Sequence, residues 1–496
     1  MPKISSSVAS PLGRIKAYGL LAALLVLAGC SFAPTYEKPA MATPSAYKEA
    51  APVSSQWKTA QPSEHFERGE WWLVFRDVAL NDLERQATHA NQNLKAAAAR
   101  LKEARAMTQA VRAGLFPTLD AGFGPTRQKP SAASRGPSQG TGAPAQTLYR
   151  AQASVSYEVD LFGRVASTVD AAQADAQRSE ALHRSVLLAL QADVAQNYFA
   201  LRQLDAESAV FDQAVALREQ ALKLAQRRYD EGDINELDVS RARAELATAR
   251  SDAMTVRRLR ATSEHSLAVL LGKAPADFAM PPSPIERVDF RVPPGLPSAL
   301  LERRPDIAAA ERAMAAANAR IGIAKAAFFP SLTLTGSAGY ESGSMGDLFK
   351  WSNRSFLLGP LAGTLLNLPI LDGGLRKGNL ANARAVYEEE AALYQQQVLT
   401  AFREVEDNLS DLRILDEQIA AQADAVSASA RAAQVSRAQY REGAVNYLDV
   451  IDAERGVLQA NRSMVQLQGV QAAATVNLIR ALGGGWDEPA RLAAAR

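Results

Sequence analysis

Cysteine occurs once among the 496 residues, as Cys30, and histidine four times. A single cysteine makes an intrachain disulfide impossible and argues against a thiol nucleophile or a cysteine-based metal site. The histidines, His65, His89, His183 and His265, have no metal-ligand spacing. No GxSxG elbow or phosphate-binding loop is present, and Gly373-Gly374 reads as a strand-to-helix corner. An enzyme is therefore not expected, and neither is a cofactor. Charge is nearly balanced: the formal net value is +2, and loss of residues 1–29 with Lys3, Arg14 and Lys16 would take it to 2 − 3 = −1. That balance argues against nucleic acid as a partner. Beyond the leader no run of about 20 apolar residues occurs, so no membrane-spanning helix is expected. If the chain crosses a membrane, it does so with strands.

Glycine and proline are also missing from two long stretches, between Gly163 and Gly232 and from Asn379 to Glu442. An unbroken helix of about 65 residues is roughly 100 Å long. That exceeds the diameter of an ordinary domain. Each stretch carries a coiled-coil stripe at spacings of three and four: Leu187, Leu190, Val194, Tyr198, Leu201, Leu204, Ser208, Phe211 and Val215 in the first, Val398, Phe402, Val405, Leu409, Leu412, Leu415 and Ile419 in the second.

What is present is organised around a repeated signature. Tyr229–Val239 reads YDEGDINELDV and Tyr440–Val450 reads YREGAVNYLDV, an offset of 440 − 229 = 211 residues. Leu271-Gly272 returns as Leu482-Gly483 at the same offset, so the chain reads as two copies of one unit. Residues 1–29 form a signal peptide whose LAGC end resembles a lipobox, with lipid expected on Cys30. Residues 30–77, rich in Pro, Ala and Ser, read as an extended arm. The first repeat covers 78–272, with a hairpin at 117–163. A linker at 273–297 leads to the second repeat at 298–483, with a hairpin at 330–374, and a tail at 484–496.

A helix is expected from Val78 to Leu115 and another from Ser298 to Phe328, each followed by Phe-Pro and two strands. Ala153, Val155, Tyr157 and Val159 alternate with Gln152, Ser154, Ser156 and Glu158, the period of a strand with one apolar and one wet face. Residues 124–147 read as an acid-free polar loop. In the second hairpin, strands are expected at Ser331–Tyr340 and Phe356–Leu368. Four strands cannot enclose a lumen, since membrane barrels begin at eight. Several chains are therefore expected to share one barrel.

With LLERRPDI, FFPSL, LDGG and YREGAVNYLDVIDAER in place, the chain resembles the TolC-like outer-membrane factors, and specifically their lipoprotein branch. The resemblance implies an α+β membrane protein. Four strands per chain would contribute to a trimeric 12-stranded outer-membrane barrel, continued by a long periplasmic α-helical barrel with an internal twofold repeat. It implies a passive duct for antibiotics or other small molecules, served by a periplasmic adaptor and an inner-membrane pump of the RND class. A lipid-anchored periplasmic coiled-coil scaffold or adhesin is the alternative, and it leaves the alternating strands unexplained.

The resemblance also assigns roles to the repeated turn. Gly232 and Gly443 permit a tight turn, and in the family the matching glycines lie where adaptor hairpins dock. Leu448, Asp449 and Asp452 share one face of the return helix and match residues at the closed periplasmic aperture. Three copies would bring six carboxylates together, a place for a cation. Asp in a first helical turn is equally explained by capping. Where some relatives place a latching Arg, this chain has Val445, leaving Tyr440, Tyr447 or another basic residue to substitute.

Overall fold

The computed structural model describes residues 34–38, 43–44, 46–49, 69–129, 144–285, 303–359 and 366–484. Cys30, the leader and the tail from 485 lie outside the described residues. The chain divides into two compact units. One holds the described parts of 1–39, 102–178 and 310–394, the other those of 40–101, 179–309 and 395–496.

The sheet belongs to the first unit. It is antiparallel throughout, in the order β1 (Thr118–Gln128), β2 (Gln146–Val159), β3 (Ser331–Ser342) and β4 (Arg354–Leu358), with β5 (Leu366–Asn367) pairing with β3 beside β4. Register confirms the alternation: Val155 stands opposite Leu119 on one side and Gly336 on the other, and Ala153 opposite Ala121 and Ala338. The face carrying Leu119, Phe123, Val155, Phe356 and Leu358 is apolar and exposed. The opposite face is polar, with Arg150 paired to Glu341 at 2.7 Å and Gln152 donating to Ser355 at 3.2 Å. Close approach of strands explains Gly339, where an added Cβ would lie 2.1 Å from the Ala151 carbonyl oxygen.

Two expectations for the sheet are corrected. The strands invade the 124–147 loop, pairing as far as Gln128 opposite Gln146, because cross-strand hydrogen bonds outlast the alternation of side chains. The second hairpin's return strand, expected over Phe356–Leu368, begins two residues earlier, with Arg354 opposite Tyr340. Leu366 and Asn367 pair with Leu332 and Ser331, and residues 360–365 lie outside the described residues.

The helices are α1 (Val78–Ala90), α2 (Gln92–Arg112), α3 (Arg164–Asp230), α4 (Glu236–Leu270), α5 (Pro305–Ala326), α6 (Leu375–Arg441) and α7 (Tyr447–Ala481). The single helix expected from Val78 to Leu115 is thus divided at Asn91. Neither glycine nor proline marks this break. Asn91 has extended backbone (ψ 129°), caps α2 by accepting from the Leu94 N–H at 3.0 Å, and donates its amide to the Leu270 carbonyl at 2.9 Å. A tertiary hydrogen bond at the end of α4 decides it.

In the second unit the expected stripes face inward: Val194, Leu201, Val398 and Val405 are fully covered, and Leu187, Leu204, Phe402 and Leu409 are half-buried. The LLERRPDI motif has a physical role there. Arg304, 7% exposed, donates to Asp306 at 2.5 Å, to Glu404 at 2.6 Å and to the Ala481 carbonyl at 3.0 Å, joining the start of α5, the middle of α6 and the end of α7. Asp205 does similar work, accepting from Arg202, Arg260 and the Ser283 N–H. Among the described residues no helix is long and apolar enough to cross a membrane.

Candidate gate at the paired helix turns

Both signature turns lie in the second unit and are built alike. At the end of α3 the Asp233 N–H bonds to the Arg228 carbonyl at 2.8 Å and the Gly232 N–H to the Tyr229 carbonyl at 2.9 Å. At the end of α6 Ala444 bonds to Gln439 at 2.9 Å and Gly443 to Tyr440 at 3.1 Å. These pairs define a Schellman C-cap, whose left-handed residue is Gly232 (φ 84°) or Gly443 (φ 76°). An added Cβ would meet nothing within 4 Å at either glycine, so the backbone angle alone requires them.

The next helix starts at once. Asn235 accepts from the Asp238 N–H, and Asn446 forms a reciprocal capping box with Asp449, with both bonds at 3.1 Å. The Asp449 carboxylate therefore has a defined local partner. Leu448, Asp449 and Asp452 do share one exposed face of α7, with Leu448 40% exposed. The opposite face buries Tyr447, Val450 and Ile451 in one cluster with Ala225, Val239 and Ala242, so the two turns share a core. Burial pushes the Tyr447 phenol up to about 12.

Several charged residues missed at the sequence level organise this end. Arg455 bonds to both Asp452, at 3.3 Å, and Glu245 on α4. Glu245 also pairs with Arg218 of α3 at 3.4 Å, and Arg437 of α6 with Glu454 of α7 at 3.2 Å. Burial holds the Glu454 carboxyl above the usual range, opposed by Arg437 and Arg218. Arg228 lies 5.1 Å from the centre of the Tyr440 ring, a basic residue bridging the two turns. A signal for the network was available in the repeat: at the 211-residue offset Arg218, Glu245, Arg437 and Glu454 face Ser429, Gly456, Gln226 and Arg243. Neither pair has a counterpart at that offset, and Arg455 of α7 reaches Glu245 of α4.

His183 is half-buried, His89 and His265 are exposed on helices, and His65 lies outside the described residues. Among the described residues no three His, Cys, Asp or Glu converge as metal ligands, so a cation at Asp449 and Asp452 would require other copies of the chain.

A model of the outer membrane efflux protein family matches residues 83–273 and 296–484. The chain is 36% identical over 474 residues to the antibiotic efflux pump outer membrane protein ArpC of Pseudomonas putida, covering 93% of this chain and 94% of that protein. The same figures hold for the toluene efflux pump outer membrane protein TtgC, also of Pseudomonas putida. Among solved structures, the outer-membrane channel OprN matches with a TM-score of 0.83 at 29% identity, over 92% of this chain and 100% of that one. The chain therefore belongs to the outer membrane efflux protein family, whose members are transport proteins of the bacterial outer membrane.

Proposed function

We propose that the chain is the exit duct of a tripartite efflux system, passively conducting small molecules delivered by a periplasmic adaptor and an inner-membrane pump of the RND class. The observation that carries this reading is the sheet: one apolar face, one polar face, and two edges, β1 and β4–β5, without a strand partner among the described residues. Unpaired edges cannot remain in hydrocarbon, so the sheet needs further copies to close. Three copies give a 12-stranded barrel whose polar faces line the lumen, continued by a periplasmic helical barrel. The scaffold or adhesin alternative gives no reason for such a sheet. An internal twofold repeat is supported by α3 and α6, each 67 residues, and α4 and α7, each 35, with starts offset by 375 − 164 = 447 − 236 = 211.

In this duct Leu448 forms an apolar ring at the periplasmic aperture, with Asp449 and Asp452 as acidic rings beside it. The Gly232 and Gly443 turns receive the adaptor, and Cys30 carries the covalent lipid, palmitate included, that adds an anchor to the outer membrane. The names of the two relatives support antibiotics and aromatic solvents as cargo classes. A deletion strain is expected to gain sensitivity to members of an antibiotic, detergent, dye and toluene panel, restored by the intact gene. Unchanged sensitivity across the panel, together with no conductance of the purified protein in planar bilayers, would refute the duct.

A further inference from the structure

The segment 343–353 joins β3 to β4 at the end of the sheet away from α5, and it is braced internally. Leu348 is fully buried, Lys350 pairs with Asp347 at 2.6 Å, and the Asn353 amide donates to the Asp347 carbonyl at 2.7 Å. The Phe349 ring meets Tyr340 edge-on at 5.6 Å. On this support Arg354 is held in a fixed pose. Its Nε donates to the Trp351 carbonyl at 2.8 Å, and its guanidinium lies 3.2 Å from the centre of the Trp351 ring. Among the described residues no carboxylate pairs with Arg354, and Trp351 is 71% exposed.

The register places these groups. Arg354 stands opposite Tyr340, which stands opposite Ala151, so Arg354 is on the apolar face, two residues from Phe356, which is 81% exposed. A guanidinium with its plane and Nε already committed offers its two terminal nitrogens as a fork that fits phosphate oxygens in pairs. An exposed indole beside it suits a membrane–water boundary. The apolar surface continuing directly below matches acyl chains rather than a free anion.

We propose that this rim is a seat for the phosphate of an outer-leaflet glycolipid, with Arg354 on Trp351 as its contact. The proposal rests on the reading that the sheet lies in the outer membrane with its loops outward. Native mass spectrometry of the purified full chain in detergent, titrated with bisphosphorylated lipid A and with its dephosphorylated form, provides the test. Arg354→Gln is expected to weaken binding of the phosphorylated lipid about tenfold, the loss of one charged hydrogen-bonding group. Arg354→Lys is expected to restore part of it, and Arg403→Gln, on an exposed helix surface, to leave it unchanged. Wild-type protein should bind the dephosphorylated lipid no better than Arg354→Gln binds the phosphorylated one, a comparison that needs no variant to fold. Equal affinity for both lipids, or Arg354→Gln within twofold of wild type, would overturn the proposal. Full displacement by millimolar inorganic phosphate would overturn the lipid as its ligand. Loss of conductance with lipid A binding intact would count against the duct and leave this site standing.

Discussion

Glu84 is fully buried on α1, and among the described residues neither of its carboxylate oxygens has a hydrogen-bond partner, so burial pushes its pKa up to about 9 from 4.5. A folded-state value above the unfolded one means that the folded chain holds the extra proton. Stability is then whole below about pH 4.5 and is lost as pH rises through about 9. Glu84→Met is expected to raise stability by about 1–3 kcal/mol at pH 4.5, where it removes an unsatisfied neutral carboxyl, and by more at pH 8, as read from denaturant melts at both values. The turn glycines give a second residue-scale outcome. Gly443→Ala forces a Cβ into a left-handed backbone and is expected to cost about 1–2 kcal/mol, although the space around it is open. Gly443→Asn should cost less, and chemical denaturation of both variants distinguishes backbone strain from a lost contact.

Elements are held in place by buried charge as much as by apolar stripes. Arg304 joins three helices, and Arg304→Ala leaves Asp306, Glu404 and the Ala481 carbonyl without their shared donor. A loss of about 3–5 kcal/mol is expected, larger than for exposed Arg403→Ala, measured by thermal or denaturant unfolding. The long helices themselves were legible because stretches of this length without glycine or proline leave few alternatives. The division of α1 from α2 was not legible. Asn91 differs little from other polar helix residues until its amide finds the end of α4.

At the scale of the assembled molecule, the capping of Asp449 and the pairing of Asp452 with Arg455 alter what the proposed acidic rings can do. A neutralising cation beside each Asp452 reduces the field that would hold a multivalent cation. Arg455→Ala is therefore expected to strengthen block by multivalent cations from the periplasmic side and to raise cation preference. Leu448→Ala should raise resting conductance with both aspartates intact, and Asp449→Ala/Asp452→Ala should weaken the block. Planar-bilayer recordings of the three decide it: wild-type conductance and selectivity in all would make these residues helix-terminal structure alone.

By itself the sequence determined the two long helices, the repeated turn with its glycines, and the apolar and polar faces of β2, because each follows from composition, periodicity or backbone angle along the chain. Those constraints are local, and a linear reading captures them. Tertiary structure alone decided how far the β1–β2 ladder runs and that Arg455 serves Asp452 and Glu245 together. It also decided that Arg304, one of two adjacent arginines in LLERRPDI, lies buried among carboxylates. Pairings between residues far apart in the chain depend on which surfaces meet after folding, and no local pattern encodes that choice.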